Sequence, residues 1–364
     1  MPTIPAVLLP ILSTEGQLHV IRVADHVHTE AAKKLYTSRS IPGKTEIDPF
    51  VSVIFTKLRL MFITQVKEMK KYAGFIYALL AALFNGMIGI FSVKIMAISL
   101  SPYAIAFYKC LIAFLIITGW LIISRQLGHW FRYIKRLWRQ LLIAAFFGLF
   151  VLYFFETNAY KYEKVSIVVF VLLGSAVITT FALSAITNKK RLNLHETLSC
   201  TLAVIGLALI FGVNGFFNES YSGILLAIIA GIGYGTFLTL SPRYKIGSGL
   251  LVVNSLILFG MVYLFIPFAY DGIVFIPDVN TAVLLLLLAI LPTIGGFLCT
   301  TKALTLIKSE SVQLIELTEP VFTLVLSMVF LHQYISFWQI VGGAILIVSI
   351  YINLAYNSHA STIK

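Results

Sequence analysis

The sequence contains few charged residues, few cysteines and no complete nucleotide-binding motif. Only 12% of its 364 residues are charged, whereas a soluble domain carries about a quarter. Its cysteines, Cys110, Cys200 and Cys299, lie singly inside apolar runs, so neither a disulfide framework nor a zinc site is predicted. The Gly43-Lys44-Thr45 tract resembles the end of a phosphate-binding loop, but position 38 is not glycine and no convincing strand precedes it. These absences argue against a soluble metal-, nucleotide- or disulfide-dependent protein.

Apolar residues are correspondingly abundant in the sequence. They make up 59% of the chain, and the mean hydropathy is +0.94. They gather into runs of roughly twenty residues, the length that crosses about 30 Å of hydrocarbon as a helix. The composition therefore predicts a polytopic α-helical membrane protein.

Ten membrane spans are predicted after an N-terminal segment of different composition. Residues 1–68 contain no spanning run, and Met69-Lys70-Lys71 resembles a second start before the first long run. We expect residues 1–68 to be disordered or foreign to the native protein, and residues 357–364 to form a cytoplasmic tail. The predicted spans are 72–93, 102–123, 141–160, 165–187, 195–213, 222–240, 249–270, 281–304, 311–331 and 337–356.

The basic residues choose one orientation for these spans. With the amino terminus inside, the inner connections carry most of the Lys and Arg, whereas the outer connections carry only Lys94, Lys161 and Lys164. The net charge of +12 therefore indicates topology, not nucleic-acid binding. Both termini are predicted to face the cytoplasm of a bacterial inner membrane.

The two halves of the chain resemble each other. An offset of 144 residues aligns Lys164 with Lys308 and Val177 with Val321, and each half contains five predicted spans. Because five is odd, the second half enters the membrane with opposite orientation. The predicted fold is an all-α membrane protein of ten transmembrane helices, built as two inverted five-helix repeats at residues 72–213 and 222–356.

The stretch from Ala303 to Ile350, with Glu319-Pro320-Val321-Phe322 and Gly342-Gly343, resembles the EamA-type branch of the drug/metabolite transporter superfamily. The resemblance covers about residues 72–356, and it implies ten helices in two inverted repeats around a central site. The first half departs from the second, because Ser175-Ala176-Val177 stands where the second has Glu319-Pro320-Val321.

Ionisable residues inside the predicted spans are candidate site residues, because a charge at mid-bilayer costs about 2.5–3.5 kcal/mol. Lys109 either serves a cavity as a cation or extends back to the surface; the resemblance favours a functional role. Glu316 and Glu319 share a face of the ninth helix beside Pro320, and they either carry an ion or proton or form a structural kink. Glu156 is a weaker candidate for the same coupling.

Uncharged polar residues complete the predicted substrate site. Asn85 and Tyr234 occupy matching positions in the first and sixth spans, beside glycines whose simplest role is close helix packing. Together with Tyr108, Lys109 and Glu316, they are predicted to bind substrate. No catalytic residue, metal or cofactor is expected.

Residues 124–140 combine five basic residues with four aromatic ones. This pattern is found in RNA-binding patches, but an amphipathic segment on an anionic inner leaflet explains it more simply. The expected partners are a small-molecule substrate and the lipid bilayer, with a homodimer left open and no nucleic acid.

The leading functional prediction is a secondary transporter of small polar metabolites, amino-acid-like compounds or drugs, working by alternating access as an exporter. Uptake or exchange of a nucleotide-linked metabolite such as S-adenosylmethionine is the alternative within transport. A membrane-embedded enzyme is the alternative from another class, and scattered histidines such as His129, His195 and His332 disfavour it.

Overall fold

A computed structural model describes residues 7–12, 18–23, 65, 69–98, 100–187, 189, 193–211, 221–271, 278–322 and 336–362. The chain divides into two compact units, Met1–Thr64 and Gln65–Lys364. In the first, strand β1 (Val7–Leu12) pairs antiparallel with β2 (Leu18–Val23). The remainder of the first unit, on which the expectation of disorder or foreign origin mainly falls, lies outside the described residues.

The described part of the second unit is all helical, as predicted. Its helices are α1 (Met69–Met96), α2 (Pro102–Ile123), α3 (Leu127–Tyr162), α4 (Val165–Thr187), α5 (Leu194–Phe211), α6 (Tyr221–Arg243), α7 (Leu250–Asp271), α8 (Val279–Leu304), α9 (Ser309–Glu316) and α10 (Phe337–Thr362).

Among the described helices, seven are long and apolar enough to cross a membrane: α1 to α4 and α6 to α8. Helices α5 and α10 contain the shorter apolar stretches Leu194–Ile210 and Phe337–Asn353. The predicted ninth span continues into residues 323–335, which the structure does not describe. The chain is a multi-pass membrane protein, and the count of ten spans stays a prediction.

Local sequence explains where several helices begin. Before α2, the Ser101 hydroxyl accepts a hydrogen bond from the Ala104 amide at 3.2 Å, and Pro102 occupies the first helical position. Asp278 caps α8 in the same way by accepting from the Thr281 amide at 3.2 Å. These side chains satisfy amide groups that a helix start leaves without a partner.

Prolines explain where helices break or change pitch, because a proline disrupts the bond to the carbonyl four residues earlier. Regular helix α9 ends at Glu316, four residues before Pro320, and the regular part of α8 ends at Leu288, four residues before Pro292. In α6, Pro242 leaves the Leu238 carbonyl without its helical donor. The Ser309 hydroxyl donates to that carbonyl at 2.8 Å and so links α6 to α9.

The third helix of each half contains a π-helical segment. These segments are Phe146–Val151 in α3 and Ala289–Gly296 in α8, close to the 144-residue offset found in the sequence. In the first, Gly148 makes room for the ring of Phe237 from α6; in the second, Gly296 makes room for Asn85 from α1. The two glycines thus admit side chains from the first helix of the opposite half.

Glycines also allow the closest helix contacts. A Cβ atom on Gly231 or Gly235 of α6 would collide with the α4 backbone, at the Leu172 and Ala176 carbonyls respectively. Gly206 of α5 and Gly342 of α10 face each other, and a Cβ on Gly342 would lie 2.6 Å from the Gly206 carbonyl oxygen. The α6 glycines therefore have the role predicted as simplest for them, which is close helix packing.

The helices pack in pairs that relate the two halves. Helix α2 lies along α7 and α5 lies along α10, so each of these helices contacts the one five positions later. Helix α6 packs between α4 and the second part of α3. This arrangement places the first helix of the second half inside the first half.

One end of the bundle collects the basic connections. There the Arg243 guanidinium at the end of α6 donates to the Thr187 carbonyl at the end of α4, at 3.1 Å. Three basic residues that follow α2, α4 and α6 adopt left-handed backbone conformations: Arg125, Lys189 and Lys245, with φ of 56°, 49° and 51°. A cation at a helix carboxyl end interacts favourably with the helix dipole. We call this end the basic side.

The main difference from the predicted boundaries is in α3. The sequence predicts a span beginning at residue 141, whereas the helix begins at Leu127 and runs for 36 residues. The residues before 141 belong to the amphipathic segment that the sequence predicts at 124–140, so the helix is longer than the predicted span while its apolar part still begins at Leu141. Helix α10 similarly continues beyond the predicted residue 356 to Thr362, into the predicted tail.

Candidate functional site

A cavity lined by both polar and apolar side chains lies inside the helical unit. The space in it that the centre of a water molecule can reach is about 30 Å³, and its walls come from both halves of the chain. Its polar lining consists of Asn85 from α1, Glu156 from α3, Tyr234 from α6, Thr300 from α8 and Glu319 just after α9. Apolar side chains such as Leu172 and Phe297 form the rest of the wall. Asn85, Tyr234 and Glu319, which are predicted to bind substrate or couple transport, therefore line the same cavity as Glu156.

Glu316 is fully buried beside this cavity and both of its carboxyl oxygens are held. The Tyr234 hydroxyl donates to Oε2 at 2.6 Å, and the Thr300 hydroxyl donates to Oε1 at 2.7 Å. Tyr234 and Thr300 also line the cavity, so the carboxyl of Glu316 is one hydrogen bond from it. Helices α6, α8 and α9 together fix its position.

Glu156 has one bound oxygen and one without a hydrogen-bond partner. The Tyr160 hydroxyl, one turn further along α3, donates to Oε1 at 2.9 Å, while Oε2 is buried and makes no hydrogen bond. A buried carboxylate oxygen without a donor is costly. This oxygen therefore offers an acceptor for a cation, a proton or a polar group of a ligand.

Lys109 is buried and does not extend back to the surface, which excludes one of the two predicted interpretations. Only 1% of it is exposed, its ammonium makes no hydrogen bond, and Nζ lies 3.3 Å from the centre of the Tyr153 ring. Glu156 is the carboxylate that interacts with it electrostatically. Lys109 does not line the cavity, and its link to the cavity wall is its electrostatic interaction with Glu156.

The cavity region carries more acidic than basic groups. Glu319 interacts electrostatically with both Glu156 and Glu316, and Lys109 is the only buried Lys or Arg among the described residues. Carboxyl groups that interact in a low-dielectric interior repel one another when charged. Cation binding or proton uptake relieves that repulsion.

Tyr108 lies apart from this group. Its ring packs against Phe107 and Phe268, with centroid distances of 5.9 and 5.3 Å, and it does not line the cavity. The neighbouring residue Lys109 faces the interior because successive positions on a helix point about 100° apart. Tyr108 and Lys109 therefore do not form one binding surface.

Sequence reasoning missed Thr300, Tyr160 and Tyr153. A single hydroxyl inside an apolar run carries no distinguishing pattern, and Thr300 becomes notable only because α8 places it opposite Glu316. Tyr160 had an available signal, since it lies four residues after Glu156 and therefore on the same helix face. Among the described residues, no group of His, Cys, Asp or Glu has the arrangement of a metal site.

Three comparisons with known proteins found matches to this chain. The model of the EamA-like transporter family matches residues 72–212 and again residues 221–355. An uncharacterized transporter from Archaeoglobus fulgidus is 28% identical over 273 residues, which cover 72% of this chain and 91% of that protein. A crystal structure of a protein with 15% identity covers 78% of this chain and 96% of its own, with a TM-score of 0.63, and supports the fold.

An apolar bundle of membrane-spanning helices with an acidic internal cavity defines the class of multi-pass membrane transporters. Two successive matches to one family model cover most of the chain, so the protein belongs to the EamA-like transporter family. The predicted family resemblance is confirmed, and it points to a transporter and away from an enzyme.

Proposed function

We propose that this protein is a secondary transporter that exports small polar metabolites, amino-acid-like compounds or drugs by alternating access. The observation that carries the proposal is the cavity whose polar walls come from both family repeats: Asn85 and Glu156 from the first, and Tyr234, Thr300 and Glu319 from the second. A site shared between two halves changes its access when the halves move relative to each other. We place the two halves in the membrane with opposite orientation, as ten spans.

In this proposal, the carboxyl groups have two roles. Glu316, Glu319 and Glu156 exchange protons or cations, while Asn85 and Tyr234 orient the substrate by hydrogen bonds. Lys109 balances part of the acidic charge and sets the charge that Glu156 presents to the cavity. A cationic or zwitterionic substrate suits a cavity lined by Glu156 and Glu319 best, because its positive group attracts the carboxylates and lowers their mutual repulsion.

The orientation follows from the basic side. We propose that this side faces the cytoplasm of a bacterial inner membrane, because Lys and Arg are retained there during insertion. Both termini then lie in the cytoplasm.

A counterflow assay in proteoliposomes tests the function. Purified protein is reconstituted in liposomes that are loaded with one compound from a panel of amino acids, drugs and nucleotide-linked metabolites including S-adenosylmethionine. Exchange of the labelled compound across the liposome membrane is then measured. Lys109→Ala and Glu316→Gln should each reduce exchange of a transported compound by about tenfold or more. Lys302→Ala and Glu310→Gln change the same residue types away from the cavity and should exchange like the parent.

The outcomes separate transport from the assigned residues. Absence of exchange for every compound in the panel with well-folded protein would contradict the substrate classes proposed. Exchange that survives both cavity variants would refute the site. If a pH gradient neither drives nor alters flux, Glu316 and its neighbours do not couple protons to transport.

A further inference from the structure

The first part of α3 has two faces with different surroundings. On one face, the Trp130 indole donates to the Ser255 hydroxyl of α7 at 2.9 Å, and the Tyr133 hydroxyl donates to the Ile246 carbonyl at 2.6 Å. These bonds fix the segment against the start of α7 and the connection before it. The opposite face is therefore held in a defined direction, away from the helical unit.

That opposite face carries a mixture of basic and aromatic side chains. We name it the basic-aromatic patch, and its members, all exposed, are Phe131, Arg132, Lys135, Arg136, Trp138 and Arg139. Phe131 is 61% and Trp138 46% exposed, and the Arg139 guanidinium lies 5.2 Å from the Trp138 ring centre. No Asp or Glu occurs between Arg125 and Phe155 in the sequence, so nothing along this stretch neutralises the cations.

The length of α3 places the patch at the edge of the membrane. About 20 of the 36 residues of α3 suffice to cross the hydrocarbon layer, so the first part of α3 lies outside that layer. The apolar part of α3 begins at Leu141, directly after Arg139 and Gln140, so the patch lies within a few residues of the hydrocarbon boundary. Leu137 departs from helical geometry, with φ of −124° and ψ of 16°, and interrupts the helix at this level.

We propose that the basic-aromatic patch binds the headgroups of anionic phospholipids in the leaflet on the basic side. Its four cations match phosphate groups in charge, and Phe131 and Trp138, seven residues apart on one face, insert at the headgroup level where aromatic side chains are favoured. Aromatic side chains also stack on the bases of single-stranded nucleic acids, but at the hydrocarbon boundary the groups that Phe131 and Trp138 meet are lipid headgroups. This binding site is independent of the transported substrate.

Tryptophan quenching by brominated lipids tests the proposal on the full chain. The protein is reconstituted in phosphatidylcholine containing a minor fraction of either brominated phosphatidylglycerol or brominated phosphatidylcholine. The contribution of Trp138 is obtained by subtracting the signal of a Trp138→Phe variant. Quenching of Trp138 by the anionic lipid should exceed quenching by the neutral lipid about threefold or more, because each basic residue of the patch raises the local concentration of anionic lipid several-fold.

Two charge-removal variants provide the comparison. The triple variant R132Q/K135Q/R139Q should lower the quenching ratio most of the way to one, since three of the four patch cations are then lost. The triple variant K94Q/K161Q/K164Q removes three exposed cations from the other end of the helices and should keep the ratio of the parent. Added salt should lower the parent's ratio by screening.

Three results would overturn the proposal. One is equal quenching by both lipids in the parent. Another is an unchanged ratio in R132Q/K135Q/R139Q when its thermal unfolding matches the parent. The third is binding of a single-stranded RNA to the parent, but not to that variant, in lipid-free detergent, together with loss of the quenching when the RNA is added to vesicles. That result would identify the patch as a nucleic-acid site.

Discussion

Removing one hydroxyl from the hydrogen-bonded group around Glu316 should destabilise the protein measurably. In Tyr234→Phe the ring keeps its packing against Phe237, but Oε2 of Glu316 loses the donor that lies 2.6 Å away. In Thr300→Val, Oε1 loses the donor at 2.7 Å. Because the carboxyl is fully buried, water does not readily replace either donor.

The expected size follows from the kind of bond. A buried hydrogen bond contributes about 0.5–1.5 kcal/mol when both groups are neutral and about 1.5–3 kcal/mol when one is charged. Each substitution should therefore lower the free energy of unfolding by about 1–3 kcal/mol. Because both hydroxyls serve one carboxyl, the double variant Y234F/T300V should depart from additivity by at least about 0.5 kcal/mol.

The measurement is equilibrium unfolding in mixed detergent micelles at a fixed pH. Thr301→Val is the matched control, since the Thr301 hydroxyl donates only to Phe297 and Leu298 carbonyls within its own helix, and the change should stay near zero. In a Glu316→Leu background, Tyr234→Phe and Thr300→Val should both become nearly neutral, because the shared acceptor is gone.

Two results would refute this reasoning. The first is a cost of Tyr234→Phe no greater than that of Thr301→Val, which would mean that the bond contributes nothing to the folded state. The second is a cost that persists in the Glu316→Leu background, which would assign it to ring packing or to the unfolded state and not to the carboxyl.

The helix contacts and the charge distribution make two more predictions. Gly342→Ala should lower the free energy of unfolding by about 1–3 kcal/mol because its Cβ would lie 2.6 Å from the Gly206 carbonyl oxygen. Gly174→Ala is the control, because a Cβ there would meet no atom within 4 Å, and it should be neutral or stabilising by about 0.5–1 kcal/mol. Equal losses for Gly342→Ala and Gly174→Ala in the same unfolding assay would contradict the close contact of Gly342 with Gly206. A membrane-impermeant thiol reagent added to intact cells should label Lys161→Cys and not Lys245→Cys; the reverse pattern would invert the proposed orientation.

Hydrophobic run length alone located most helices correctly. The predicted bounds of α2 and α4 coincide with the observed ones, and those of α5 to α8 differ by at most three residues at each end. Runs of this length have one physical solution in a bilayer, because an unpaired backbone group in hydrocarbon is too costly. At α3 the helix is longer than the predicted span, because it begins in an amphipathic segment that hydrophobic run length does not mark as spanning.

The sequence by itself determined the membrane class, the family and the ionisable residues of the interior, because each depends on residue type and spacing along one helix. Only the tertiary structure decided which of those residues meet. It joined Glu316 to Tyr234 and Thr300 from two other helices, set Lys109 against Tyr153 and turned Tyr108 away. Contacts between helices depend on how glycines such as Gly148 and Gly296 let neighbouring chains approach, and hydropathy contains no information about that approach.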